Sequence, residues 1–203
     1  MTNFIDFYKI NPKLKLLQER FNLIHEEYTK NKNNLEFKDF SKKQEYSIGV
    51  NKKGHPISVD EYLHQEKRKE DSVGWHTSAL YANNIEYIKN TQYLPILTQT
   101  LKEINLLSIC AINLLDPSYS LDWHNDNDYF PNTSTIRILW GLDVPVETDK
   151  YSLIQIQDKN KYIETKKFEN GQFYIFLPSL IHRVENTLSQ PRSLLCIDAF
   201  WGN

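Results

Sequence analysis

The chain has 203 residues, a formal charge of −2, 40% hydrophobic and 13% aromatic residues, and two cysteines. This composition fills a real core, which excludes a mainly disordered chain, and it lacks the basic excess of a protein that coats nucleic acid. No apolar run approaches the roughly 20 residues that cross a bilayer, and residues 1–7 lack signal-peptide architecture, so a cytoplasmic protein that engages neither membrane nor nucleic acid is expected.

In chain order, the apolar residues Leu14, Leu17, Phe21, Ile24 and Tyr28 recur at steps of three and four, which predicts one amphipathic helix over 12–31. A polar, Lys-rich loop is expected over 32–45, a first strand over 46–52, and a short charged helix over 60–70. A second amphipathic helix spans 94–104, with Pro95 in its first turn. After Leu106 the texture changes to short runs rich in Ile, Leu, Tyr and Val, at 107–115, 119–123, 135–142, 151–157, 162–166, 172–177 and 193–200. Turn residues such as Asp116-Pro117 and Asn170-Gly171 punctuate them. Short strands with regular turns predict a sandwich or barrel. The whole of 1–203 reads as one domain: a mostly helical part, 1–106, buttressing a β core, 107–203. Cys110 and Cys196 lie inside strand-like runs and read as buried thiols.

The informative stretch is Asp122-Trp123-His124-Asn125-Asp126. At the end of a strand, residues i and i+2 share a face, so His124 and Asp126 can point at one ion. Imidazole plus carboxylate suits iron(II), manganese or zinc. His182 opens a later strand-like segment, 180–184, and Arg192 follows it by ten positions. The order His-x-Asp, distant His, Arg is that of a 2-His-1-carboxylate triad with an anchor for 2-oxoglutarate, whose far carboxylate an Arg can hold by a charge-assisted pair. Two other readings use the same residues. One is a zinc hydrolase or an isomerase on a cupin barrel; the other is a non-catalytic cupin that binds a small acid or a partner protein. His25, His55, His64 and His76 have no companion at ligand spacing. Trp123 and Trp140 read as core residues.

The last 130 or so residues also resemble the aspartyl/asparaginyl β-hydroxylases, a branch of the 2-oxoglutarate oxygenases with a double-stranded β-helix (jelly-roll, cupin-like) fold. The likeness rests on Asp116-Pro117, on Arg137-Ile138-Leu139-Trp140-Gly141-Leu142-Asp143-Val144-Pro145, and on His182-Arg183-Val184-Glu185-Asn186 running on to Pro191-Arg192 and Ile197-Asp198-Ala199-Phe200-Trp201. It implies iron(II), 2-oxoglutarate and O2 as cofactors, with His124, Asp126 and His182 on the metal. It also implies that Arg192 binds the distal carboxylate of the cosubstrate, that Arg137 serves a carboxylate of cosubstrate or substrate, and that Asn113 hydrogen-bonds near the cosubstrate. The implied substrate is a free amino acid, or an Asp, Asn or Pro side chain in a peptide or protein. Asp126 stands where some members carry Gly, which favours hydroxylation over halogenation. The loop between His124 and Arg137, with Tyr129, Phe130 and Pro131, looks longer than in the family, so substrate identity does not transfer. The sequence sets no oligomeric state.

Overall fold

The computed structural model describes residues 2–39, 46–47, 50–51, 74–82, 85–105, 109–126 and 135–200. The expected helix over 60–70 and the loop residues Tyr129, Phe130 and Pro131 lie outside the described residues.

The stripe over 12–31 forms a 3-10 turn, Pro12–Leu14, then helices α1 (Lys15–Glu19) and α2 (Phe21–Asn31), which part at Arg20. Its apolar residues do what their spacing predicts: Leu14, Leu17, Ile24 and Tyr28 are fully buried. A short helix α3 (Ile88–Thr91) precedes α4 (Pro95–Ile104), which begins at its proline and ends on Asn105 in a left-handed conformation. The first free amides of α4 are satisfied from another element. Glu27 of α2 accepts from the amides of Ile96 at 2.8 Å and Leu97 at 3.0 Å, placing a carboxylate at the positive end of the helix. Glu27→Ala is expected to lower stability by about 1–2 kcal/mol. Chemical denaturation checks this, and an unchanged midpoint would mean that water replaces the carboxylate.

The described residues form, in chain order, the strands β1 (Lys38–Asp39), β2 (Tyr46–Ser47), β3 (Val50–Asn51), β4 (Trp75–Ala82), β5 (Ile85–Glu86), β6 (Ile109–Leu115), β7 (Tyr119–His124), β8 (Thr135–Asp143), β9 (Ser152–Gln157), β10 (Ile163–Lys167), β11 (Phe173–Phe176), β12 (Ile181–Asn186) and β13 (Arg192–Phe200). A larger sheet runs β1-β4-β6-β13-β8-β11, with β5 on β4, and a smaller one runs β10-β9-β12-β7. Every pairing is antiparallel. The two sheets share a core that includes Leu115, Leu139, Phe176 and Leu194 from the larger and Leu121, Ile154, Ile156 and Val184 from the smaller. This is the expected jelly roll, mainly β with a helical buttress.

Alternation along the central strands sorts the larger sheet into two faces. Ile136, Ile138, Trp140 and Leu142 of β8, with Leu195, Ile197 and Ala199 of β13, join the core under the helices. Arg137, Arg192 and Asp198 alternate with these and fall on the inner face. Trp140 is fully buried, as expected. Tyr28 of α2 meets the Ser193 hydroxyl at 2.7 Å, tying the helical layer to β13.

Three local findings differ from the sequence reading. The 1–106 part contributes an inner strand of the larger sheet, β4, as well as helices. Residues Thr77 to Ala82 are all buried, so β4 shows no alternation to read. The strand expected over 46–52 is a short hairpin, with Tyr46 opposite Asn51. Trp123 is 40% exposed instead of core. The cause is a bulge: Leu121 pairs with Val184 but His124 pairs with His182, so β7 holds one extra residue over that interval. Cys110 and Cys196 are free, buried thiols. Among the described residues no helix is long and apolar enough to cross a membrane.

Gly141, in the middle of β8, lies under the chain segment that leads into β11. Its amide donates to the Gln172 carbonyl at 3.0 Å and its carbonyl accepts from Gly171 at 2.8 Å. A Cβ at this position would sit 1.9 Å from the Glu169 carbonyl oxygen.

Candidate metal centre

The bulge in β7 builds the site. With unbroken alternation Trp123 would share the inner face with Leu121 and His124 would point outward. One extra residue returns His124 to the inner face, directly opposite His182 on β12, and turns Trp123 out to the Arg183 guanidinium, 5.5 Å from its ring centre. The imidazole rings of His124 and His182 are 4.3 Å apart. Asp126 lies just past the strand, where its amide donates to the Pro178 carbonyl at 3.0 Å. Donor atoms of His124, Asp126 and His182 all lie within 4.8 Å of one another, a cluster able to hold a metal ion.

Second contacts orient these donors. His124 Nδ1 lies 2.6 Å from the Asp122 carbonyl oxygen and His182 Nδ1 lies 2.8 Å from that of Leu180. A carbonyl only accepts, so each Nδ1 carries a proton, which in a neutral imidazole leaves the Nε2 lone pair for a ligand. Both Nε2 atoms face Asp126, at 3.9 Å from Oδ1 for His124 and 3.8 Å from Oδ2 for His182. Burial pushes the His182 imidazole down to about 4, so it is neutral near pH 7 and ready to coordinate. For Asp126, burial acts upward, but the Arg137 charge and the two histidines outweigh it and hold the carboxyl below its ordinary value. The cluster offers two imidazoles and one carboxylate to one ion.

The two arginines stand in opposite conditions. Arg137 donates to Asp126 Oδ2 and makes a forked pair with Asp198, Nε to Oδ1 at 2.8 Å and Nη2 to Oδ2 at 3.1 Å. Arg192 is 3% exposed, and among the described residues no carboxylate lies within ion-pair distance of it. Its guanidinium lies over the Phe168 ring, 5.0 Å from the centre, and its Nε donates to Ser152 Oγ at 3.2 Å. Burial pushes its pKa down to about 9. A buried cation with no carboxylate among its described neighbours is costly, and an anion bound beside it would offset that cost.

Asn113 shares the inner face on β6, beside Leu194, and its Oδ1 is buried with no hydrogen-bond partner. Its cross-strand neighbour on β4, Thr77, likewise has a buried hydroxyl without a partner. Every residue expected at the site thus lies on the inner faces or, for Asp126, at their rim. The sequence reading missed Thr77, Ser152, Phe168 and Asp198. Only Asp198 left a signal: a carboxylate inside an apolar run, matched by Arg137 inside another. Of the isolated histidines, His76 meets Asp116 Oδ2 at 3.1 Å and His25 lies 3.6 Å from Asp143, contacts away from the cluster.

No curated protein sequence matches this chain. Among solved structures it is similar to a Pseudomonas putida prolyl-4-hydroxylase, with 16% identity over 70% of this chain and 81% of that one and a TM-score of 0.45. It is similar to a 2OG-Fe(II) oxygenase-family oxidoreductase from Burkholderia pseudomallei, with 12% identity over 62% and 67% and a TM-score of 0.45. It is also similar to peruvianin-I, a cysteine peptidase from Thevetia peruviana latex, with 14% identity over 71% and 75% and a TM-score of 0.40. Likenesses this remote span different chemistries and carry no argument for one of them. The family model for aspartyl/asparaginyl β-hydroxylase, in contrast, matches residues 18–201. An oxygenase of that description uses iron(II), 2-oxoglutarate and O2, and the buried His-Asp-His cluster fits that set. By a match over nearly its full length, the chain is an oxygenase and belongs to the aspartyl/asparaginyl β-hydroxylase family.

Proposed function

We propose that this protein hydroxylates a free amino acid or a peptidyl side chain of the Asp, Asn or Pro type, with 2-oxoglutarate converted to succinate and carbon dioxide. The observation that carries the reading is Arg192, a buried guanidinium with no carboxylate partner among the described residues, on the inner face that also bears Arg137 and Asn113. A metal hydrolase on this barrel has no need of such a group, whereas a dicarboxylic keto acid supplies the missing anion. In this reading His124 Nε2, His182 Nε2 and Asp126 Oδ1 hold iron(II), and Arg192 anchors the far carboxylate with help from Asn113. Arg137 approaches the ligand set from the side of Asp126, where it serves a carboxylate of cosubstrate or substrate. O2 would be the oxidant, one of its atoms entering a C–H bond and the other succinate, with 2-oxoglutarate giving up two electrons as it loses carbon dioxide beside the iron. The chain's own part is to orient the ligands, neutralise the cosubstrate and keep the pocket dry.

The test is an anaerobic titration of the apoprotein with iron(II) and 2-oxoglutarate, followed through the weak visible charge-transfer band of the chelated keto acid. The band is expected in the wild type and absent in Asp126→Ala and His182→Ala. Iron binding with no band would remove the cosubstrate from the scheme and leave a zinc enzyme or an acid-binding cupin as the better account.

A further inference from the structure

Asp198 lies on β13, directly opposite Arg137 on β8, and touches no donor of the metal cluster itself. Its side chain is 5% exposed, and both its oxygens are engaged by the Arg137 guanidinium, through Nε and Nη2. That forked pair fixes the plane of the guanidinium and leaves Nη1 to reach Asp126 Oδ2. Among the described residues, Asp126 Oδ1, the oxygen nearer His124, accepts no hydrogen bond; His124 Nε2 lies 3.9 Å from it. Two carboxylates therefore share one cation, and Arg137 engages one oxygen of Asp126 and leaves the other to the side of His124.

Resting on the metal reading above, we infer that Asp198 is a positioning residue for the metal centre. It occupies Arg137 so that the guanidinium steadies Asp126 without closing over both of its oxygens. Arg137 and a bound cation compete for the same carboxylate. With Asp198 present, the arginine charge is answered in part from the far side, and Asp126 remains an anionic donor. With Asp198 neutralised, more of the Arg137 charge falls on Asp126, and the competition tilts against the metal.

The experiment measures iron(II) affinity anaerobically, by competition with a chromophoric chelator, alongside thermal unfolding of each apoprotein. Asp198→Asn is expected to weaken iron(II) binding by about tenfold to hundredfold, the range for outer-shell partners of metal ligands. Adding Arg137→Met to it removes the competing cation and is expected to restore most of that affinity. A purely structural Asp198 would lower the melting temperature in the single variant without the loss and recovery of affinity. Wild-type affinity in Asp198→Asn overturns the inference, as does a loss that the double variant fails to repair. If the single variant does not fold, the double variant, which buries neither charge, decides alone: strong iron(II) binding is expected, and weak binding overturns the inference. A wild-type protein that binds no iron(II) overturns the metal reading and this inference with it, an outcome distinct from the others.

Discussion

Replacing Arg192 with Met is expected to raise the melting temperature of the ligand-free protein while abolishing its response to 2-oxoglutarate. The guanidinium is 3% exposed, and its partners among the described residues are a hydroxyl and an aromatic ring, so the ligand-free fold carries a desolvated charge. The sign follows from the downward shift. A cation whose pKa is pushed to about 9 is disfavoured in its protonated form, so the penalty on the fold applies at every pH below that value. Methionine fills a similar volume without charge, and the expected gain is about 1–3 kcal/mol. In the wild type, 2-oxoglutarate at a hundred times its Kd should add about 2.7 kcal/mol, and in the variant nothing. Thermal unfolding with and without the keto acid reads both effects. A variant that is less stable than wild type and still stabilised by 2-oxoglutarate would show that the anion binds elsewhere.

Gly141→Ala should damage fold and site together. A Cβ at that point would meet the Glu169 carbonyl oxygen at 1.9 Å and its carbon at 2.8 Å, and the segment is pinned by backbone hydrogen bonds on both sides of Gly141. Backbone cannot rotate away as a side chain can, so the loss is expected to be about 3 kcal/mol or more. The displaced segment begins at Phe168, whose ring cradles Arg192, so weaker 2-oxoglutarate binding should accompany the lost stability. Urea unfolding together with a cosubstrate titration checks the pair of effects. An alanine variant as stable as wild type would mean that the segment can move aside.

Much of this was legible because two periodicities survive in the sequence. The steps of three and four from Leu14 to Tyr28 marked the buttress, and the apolar runs at 135–142 and 193–200 marked the central strands. The gathering of His124, Asp126 and His182 was legible from chemistry and order. The burial of β4 on both faces erased its alternation, so an inner strand passed unread. Nor does any residue in Leu121-Asp122-Trp123-His124 announce a bulge. Its existence depends on which residues of β12 stand opposite, and a single strand does not encode that register. Thr77 and Ser152 are ordinary strand residues whose importance comes only from which polar atoms they face. Phe168 looks like any core aromatic until a cation rests on it.

His124 and His182 are ladder partners on β7 and β12, so the two imidazoles come within reach of one ion only after strands distant in sequence have zipped together. The unfolded chain offers no equivalent pair, and an ion that binds there joins a finished barrel instead of templating it. On the proposed ligand set, loading is a late event in the life of the chain. Once loaded, the ion should depart on the timescale on which the rim ends of β7 and β12 fray, well before the whole domain unfolds.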